Sequence, residues 1–450
     1  MISKDTRGTQ PPEGAESLQV KKSLKYSMGD GIFFSLMNGF TADYFTPFLL
    51  LIGGTVRHVS IIAALPNLAS SLIQPKSADI SEKTDSRKKV VDLCSLFQAL
   101  TLVPMLAVYF MGSGRIAVFI AVVTLFTSFG ALANPAWASI MADLVSTDKR
   151  GEYFGWRNKV LGFVTVGATF AAGYILYELD RFNIFIGFAV VFALAFAFRL
   201  ASWRYLTRMH EPELIHKKDD YFSLYDFVSR FRHSNFARFV FFAAAMKFAV
   251  NVAAPFLPVL MLRDLKFSYL TYTAVTVAAT IATNVTIMRW GIHADRIGNM
   301  KVIKFSSKLV AFVPLLWLIN THPVFLFFVQ LFAGFAWAGF NLSASNFIYD
   351  ASTPGKRTRC IAYFNAFTGV ALCLGALLGG WLAEIMPDGF FTHKILGIVL
   401  LSAILRLAVA YLLPFNLSEV REVEDMRSHE LLISMIKAKP ASGKKPPLIR

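Results

Sequence analysis

The chain writes one pattern twice. Asn134 is followed nine residues later by Asp143 and then by Lys149-Arg150. Asn341 is followed nine residues later by Asp350 and then by Lys356-Arg357, each member 207 positions after its counterpart. The register continues through Asn158 and Asn365, Gly162 and Gly369, Gly173 and Gly380, and Arg199 and Arg406. Upstream, Pro47 and Pro255, and Ser60 and Ser268, match at an offset of 208. Ordered matches at a nearly constant offset mean two copies of one folding unit. Any fold for this chain has to accommodate the same path twice.

That path runs through lipid. Of 450 residues, 55% are apolar and 16% charged, against about 25% charged in soluble proteins. The apolar residues fall in blocks of about 20 or more, enough to cross a ~30 Å hydrocarbon core as helix. A barrel would instead show alternating segments of ~10 residues. Twelve spans are predicted, over 26–52, 56–78, 90–111, 115–142, 157–178, 183–205, 237–262, 268–291, 301–320, 323–350, 359–384 and 393–414. The expected fold is an all-α polytopic membrane protein with twelve transmembrane helices in two pseudo-symmetric six-helix bundles, over 24–205 and 237–414. A tail at 1–23, a linker at 206–236 and a tail at 415–450 complete the expected organisation. Residues 1–23 are polar and precede a full-length span, so no cleavable signal is read there. In the linker, Ser223-Leu224-Tyr225-Asp226 reads as the cap of a short amphipathic helix lying on the membrane surface. Cys94, Cys360 and Cys373 have no metal-ligand spacing and read as small buried hydrophobes.

The formal net charge of +16 is a topology signal. Of the 45 Lys and Arg residues, 36 fall on the side of both tails, 6 on the other side and 3 (Arg199, Lys247, Arg406) inside spans. The positive-inside rule then puts both termini in the cytoplasm of a cell-membrane protein. The same cations suit contact with anionic lipid; nucleic acid is not an expected partner.

Three loops carry a resemblance. Gly291-Ile292-His293-Ala294-Asp295-Arg296-Ile297-Gly298-Asn299-Met300-Lys301 is similar to the Gly-x-x-x-Asp-Arg-x-Gly-x-x-Lys loop of the major facilitator superfamily. Its counterpart, Ala78-Asp79 through Arg87-Lys88-Lys89, has a longer acid-to-base spacing and Pro75 near the usual glycine. Asp143 through Lys149-Arg150-Gly151, with Gly155, Arg157 and Asn158, resembles a stretch common in bacterial members. The resemblance covers roughly 24–415. It implies two bundles rocking about a central site lined by spans one, four, seven and ten, and a cytoplasmic gate whose charge contacts form in one state and break in the other. The gate candidates are Asp79, Arg87, Asp143, Arg150, Asp295, Arg296, Asp350 and Arg357.

Ionisable groups inside spans face a partner or a cavity, because lipid penalises them. Asp43 lies past the middle of span one and Lys247 near the middle of span seven; Asn251 shares a helix face with Lys247. At offset 208 Asp43 falls on Asn251, and Gly39 on Lys247. The expectation is that Asp43 and Lys247 face each other across the cavity, binding a charged solute group or carrying a coupling proton. Asn38, Asn134 and Asn341 are further cavity candidates. Arg199 and Arg406, near matching span ends, read as structural or snorkelling.

No Walker loop, dinucleotide fingerprint or metal-spaced His cluster occurs, so no enzyme, cofactor or metal site is expected. The leading reading is a monomeric secondary transporter for a small organic solute with H+ or Na+ as coupling ion. A cation-coupled sugar-type symporter and a non-transporting sensor on the same fold are the alternatives.

Overall fold

The computed structural model describes residues 13–145, 150–212, 234–352, 354–386, 393–414 and 417–419. The helix anticipated at 223–231 lies outside them. Every described element is helical. Lipid offers the backbone no hydrogen-bond partner, so each crossing segment satisfies its own amides.

Eleven continuous helical stretches among the described residues are long and apolar enough to cross a membrane. They are span two (Val56–Ile73), three (Arg87–Phe110), four (Arg115–Leu144), five (Tyr153–Asp180, within a helix starting at Arg150), six (Ile184–Leu206), seven (Asn235–Asp264), eight (Tyr269–Ile297), nine (Asn299–Ile319), ten (Pro323–Asp350), eleven (Cys360–Ile385, within a helix starting at Pro354) and twelve (Lys394–Leu412). Span one is the exception. It is split into Glu13–Gly39 and Phe45–Leu51 by turns at 40–44. Its repeat mate, span seven, loosens at the same place, with α-helix ending at Asn251 and a 3₁₀ turn at Ala254–Phe256. Pro47 and Pro255 explain both breaks: each lacks a backbone N–H and crowds the carbonyl four residues back.

Call the face that holds the start of span one the terminal face. Between spans two and three it carries a short helix, Lys76–Lys83. Between spans eight and nine it carries a tight turn at Gly298, whose φ of +92° suits a residue without Cβ.

The two halves meet where span two lies along eleven and five along eight. Apolar burial drives helix association weakly in lipid, so small residues that let backbones approach do much of the work. The repeated glycines sit there. A Cβ on Gly162 or Gly173 of span five would collide with Asn284 or Thr273 of span eight. A Cβ on Gly369 or Gly380 of span eleven would collide with Ser71 or Ser60 of span two. Gly167, on the same span as Gly173, has open space around it. We therefore expect Gly173→Ala to lower the stability of the detergent-solubilised protein by about 1–3 kcal/mol, and Gly167→Ala to leave it unchanged or raise it. Equal melting temperatures for the two variants would count against this packing.

Candidate functional site: a closed seam, a central cation and two terminal-face clusters

The face opposite the termini is stitched shut across the halves. Tyr44, fully buried at the break in span one, donates its hydroxyl to Thr169 O on span five at 2.5 Å and lies 3.0 Å from Thr273 Oγ1 on span eight. Tyr272, also buried, donates from span eight to the backbone carbonyl of Asp43 at 2.8 Å. That carbonyl is available because Pro47, four residues on, has no N–H to offer it. One proline thus bends span one and exposes the acceptor that ties it to the other half. The Asp43 side chain is half-buried in this seam and forms no ion pair among the described residues.

Lys247 stands apart from Asp43. Its Nζ lies 3.4 Å from Asn341 Oδ1 and 4.6 Å from the centre of the Trp337 ring, both on span ten. Asn341 is exposed, as is Asn134 at the matching place on span four, while Asn38 is half-buried. Asn251 does not join this group: its amide donates to Leu372 O on span eleven at 2.6 Å. The site residues therefore divide. Lys247 and Asn341 come together, Asp43 belongs to the seam, and Asn251 serves helix packing.

On the terminal face, among the described residues, two charge clusters form, one in each half. Arg87, at the start of span three, bonds Asp143 at the end of span four at 2.5 Å, Ser139 at 2.9 Å and Pro212 O at 2.8 Å. The Glu211 carboxylate accepts from Ser86 Oγ and Arg87 N at 2.6 Å and from Lys88 N at 3.1 Å, capping span three. In the second half Glu419 accepts from Met300 N at 2.7 Å, capping span nine, and Asn299 donates to Asp350 at 2.7 Å. Glu211 and Glu419 are 208 positions apart, so this acid belongs to the repeat although the sequence reading took both positions for linker and tail. Asp79 and Asp295 are exposed. The side chains of Arg150 and Arg357 lie outside the described residues.

A buried cluster fills the first half just inside this face. Ser202 Oγ donates to Asp30 at 2.7 Å and accepts from Arg199 at 2.6 Å; Arg199 also donates to Ser95 at 2.8 Å. Arg157 approaches Asp30 at 3.8 Å, donates to Ser27 O at 3.2 Å and covers the Trp137 ring at 4.6 Å. Arg406, the repeat mate of Arg199, has no such acid among the described residues. It donates to Ser402 at 3.0 Å and to Val310 O and Val250 O at 3.4 Å. Val310 lies four residues before Pro314, so its carbonyl is again one that a proline has released. Arg199 and Arg406 are 3% and 5% exposed: these guanidiniums are held inside their bundles, and the snorkelling alternative is set aside. Asp30 escaped the sequence reading because it lies near the start of its span, where an acid reads as a boundary.

A family model described as the Major Facilitator Superfamily matches residues 31–251 and 239–441, and the chain belongs to that family. It is a multi-pass membrane protein of a transporter family, not an enzyme. Among solved structures, the nucleoside transporter NupG is 16% identical, with 94% of this chain and 100% of that one covered and a TM-score of 0.64. A D-xylose-proton symporter is 12% identical, with 91% and 99% covered and a TM-score of 0.66. A bacterial homologue of the human lysosomal transporter Spinster, solved inward-facing and unoccupied, is 13% identical, with 84% of each chain covered and a TM-score of 0.57. At these identities the likeness is one of fold. No curated protein matches the chain.

The Asp30 cluster makes a sharp expectation. Arg199→Met leaves the buried Asp30 carboxylate with the Ser202 hydroxyl and its longer contact to Arg157 but without the guanidinium behind Ser202, and should cost roughly 3 kcal/mol of stability. Combining it with Asp30→Asn should recover part of that loss. A double variant no more stable than Arg199→Met, by thermal unfolding in detergent, would refute the coupling.

Proposed function

We propose that the protein is a secondary active transporter that moves a small organic solute across the cytoplasmic membrane by alternating access, driven by a proton gradient. The observation that carries this reading is the one-sided seam. Among the described residues, Tyr44 and Tyr272 join the halves on the face away from the termini, whereas towards the terminal face the charge contacts described above stay within one half each and the halves share the neutral Asn365–Gln74 hydrogen bond at 3.2 Å. Such a molecule is closed on one side and can part on the other. The excess of Lys and Arg beside the tails supports a cytoplasmic terminal face, which makes this an inward-facing state.

Alternating access is tested by labelling. The three native cysteines are buried, which keeps the background low. Asn341→Cys should react with an impermeant maleimide from the cytoplasmic side and slowly from outside. Adding Tyr44→Phe and Tyr272→Phe, which removes the phenolic oxygens of the seam, should speed labelling from outside several-fold. Unchanged rates would overturn the assignment of the seam as a gate.

Asp43 is our candidate for the coupling group. It sits in the seam beside Tyr44, with its own backbone carbonyl bonded by Tyr272, and a carboxylate buried without a cation is costly when charged. Closing the seam would shut this carboxyl group away from water, and opening it would give a proton a route on or off. With a solute identified by thermal stabilisation, Asp43→Asn vesicles should keep solute exchange and lose accumulation driven by a proton gradient. Replacing sodium by choline should change nothing. Proton-driven accumulation persisting in Asp43→Asn would remove Asp43 from the coupling step, and sodium dependence would favour the cation-coupled alternative.

A further inference from the structure

Among the described residues nothing neutralises the central cation. Lys247 Nζ meets neutral groups: the Asn341 carbonyl oxygen at 3.4 Å and the Trp337 ring face at 4.6 Å. Among the described residues no carboxylate lies within ion-pair distance of it. The acids well inside the spans are engaged or distant in sequence: Asp30 is held by Ser202 and Arg157, Asp92 lies one turn after Lys88 near the terminal end of span three, and Asp43 sits in the seam. No acid occurs on span seven before Asp264 at its far end or on span ten before Asp350 at its terminal end. An ammonium within a membrane protein is expensive unless it finds a counter-charge.

The donor arithmetic points the same way. An ammonium carries three N–H groups, and Asn341 Oδ1 can take one. Turning that oxygen towards Lys247 leaves the Asn341 amide N–H groups for something else. Lys247 is half-buried and Asn341 exposed, so the surplus donors can be reached by a solute. A donor-rich place with one positive charge matches a single negative charge. A phosphate dianion is served better by the bidentate fork of an Arg, and the buried guanidiniums Arg199 and Arg406 are bonded within their own bundles. A neutral solute would leave the ammonium uncompensated.

We propose that Lys247 and Asn341, backed by the Trp337 ring, receive the carboxylate of a small organic acid, which makes monoanionic carboxylates the substrate class. The inference rests on the transport reading above and gives it a chemistry. Lys247 supplies the charge, the Asn341 amide a second donor, and the indole face an apolar flank for the body of the solute.

The test is equilibrium binding to the full-length protein in detergent, read as a shift in melting temperature. The probes are acetate, lactate and benzoate, each against its own amide, with D-xylose and uridine as neutral solutes. At least one carboxylate should stabilise the wild type in a saturable way while its amide does not. Lys247→Met should weaken that binding roughly 10- to 100-fold, the scale of a charge-assisted hydrogen bond, and Lys247→Arg should keep most of it. Asn341→Ala, which leaves the cation in place, provides a second variant and should weaken binding less. No stabilising carboxylate, or equal binding by wild type and Lys247→Met, overturns the proposal. Stabilisation by xylose or uridine alone overturns it and leaves the transport reading intact. A carboxylate that binds through Lys247 but is never carried across a vesicle membrane leaves this site standing and overturns the transport reading.

Discussion

A proline in a membrane helix removes one donor and strands one acceptor, and lipid supplies no replacement. Much of this molecule's polar architecture answers that constraint. The Asp43 carbonyl, stranded by Pro47, is taken by Tyr272 of the opposite half. The Val310 carbonyl, stranded by Pro314, is taken by Arg406. In the first case the repair crosses the seam and becomes part of a closure. In the second it stays inside a bundle and explains how a buried guanidinium can persist without a carboxylate. The same local chemistry yields a moving contact in one place and a fixed one in another, depending on which helix faces the stranded oxygen.

The two copies have kept their mechanics and changed their charges. Both retain a broken first helix, close glycine contacts with the other half, an acid at the end of the fourth helix and an acid capping the third. They differ within. The first half buries Asp30 with Arg157 and Arg199, whereas at offset 208 from Asp30 the second half carries Arg238. The second half instead places Lys247 where the first has Gly39, and Gly39 is packed so tightly against Ala168 and Thr165 of span five that no side chain fits. The repeat thus needs glycine for packing in one copy and is free to carry a cation in the other.

Much of the fold was legible from the chain. Apolar block length gave the spans, and the repeat register paired Gly162 with Gly369 and Gly173 with Gly380, the glycines at which the halves meet. The site was legible in parts. Lys247 and Asn341 do come together, because spans seven and ten face one another. Asn251 could not be placed from its spacing: it lies one helical turn after Lys247, but its amide is taken by the Leu372 carbonyl of span eleven, a neighbour that spacing along one helix does not reveal. Asp43 was separated from Lys247 by the break at 40–44, whose outcome depends on which donor the freed carbonyl meets. Glu211 and Glu419 carried a signal at offset 208, hidden in segments that composition alone describes as polar connection.

Those two acids redraw the unit that was copied. The strand of chain after span six is fastened to the start of span three by Glu211 and to Ser23, beside span one, through the His210 amide at 2.9 Å. The strand after span twelve is fastened in the same manner, by Glu419 to span nine and by Ser418 to Asn235 at the start of span seven at 2.8 Å. Each bundle is buckled by a strap that its own last helix supplies. The duplicated segment therefore ended beyond its sixth helix and included the strap, so that each copy arrived able to hold its own shape. A partner bundle was then needed only for something to move against.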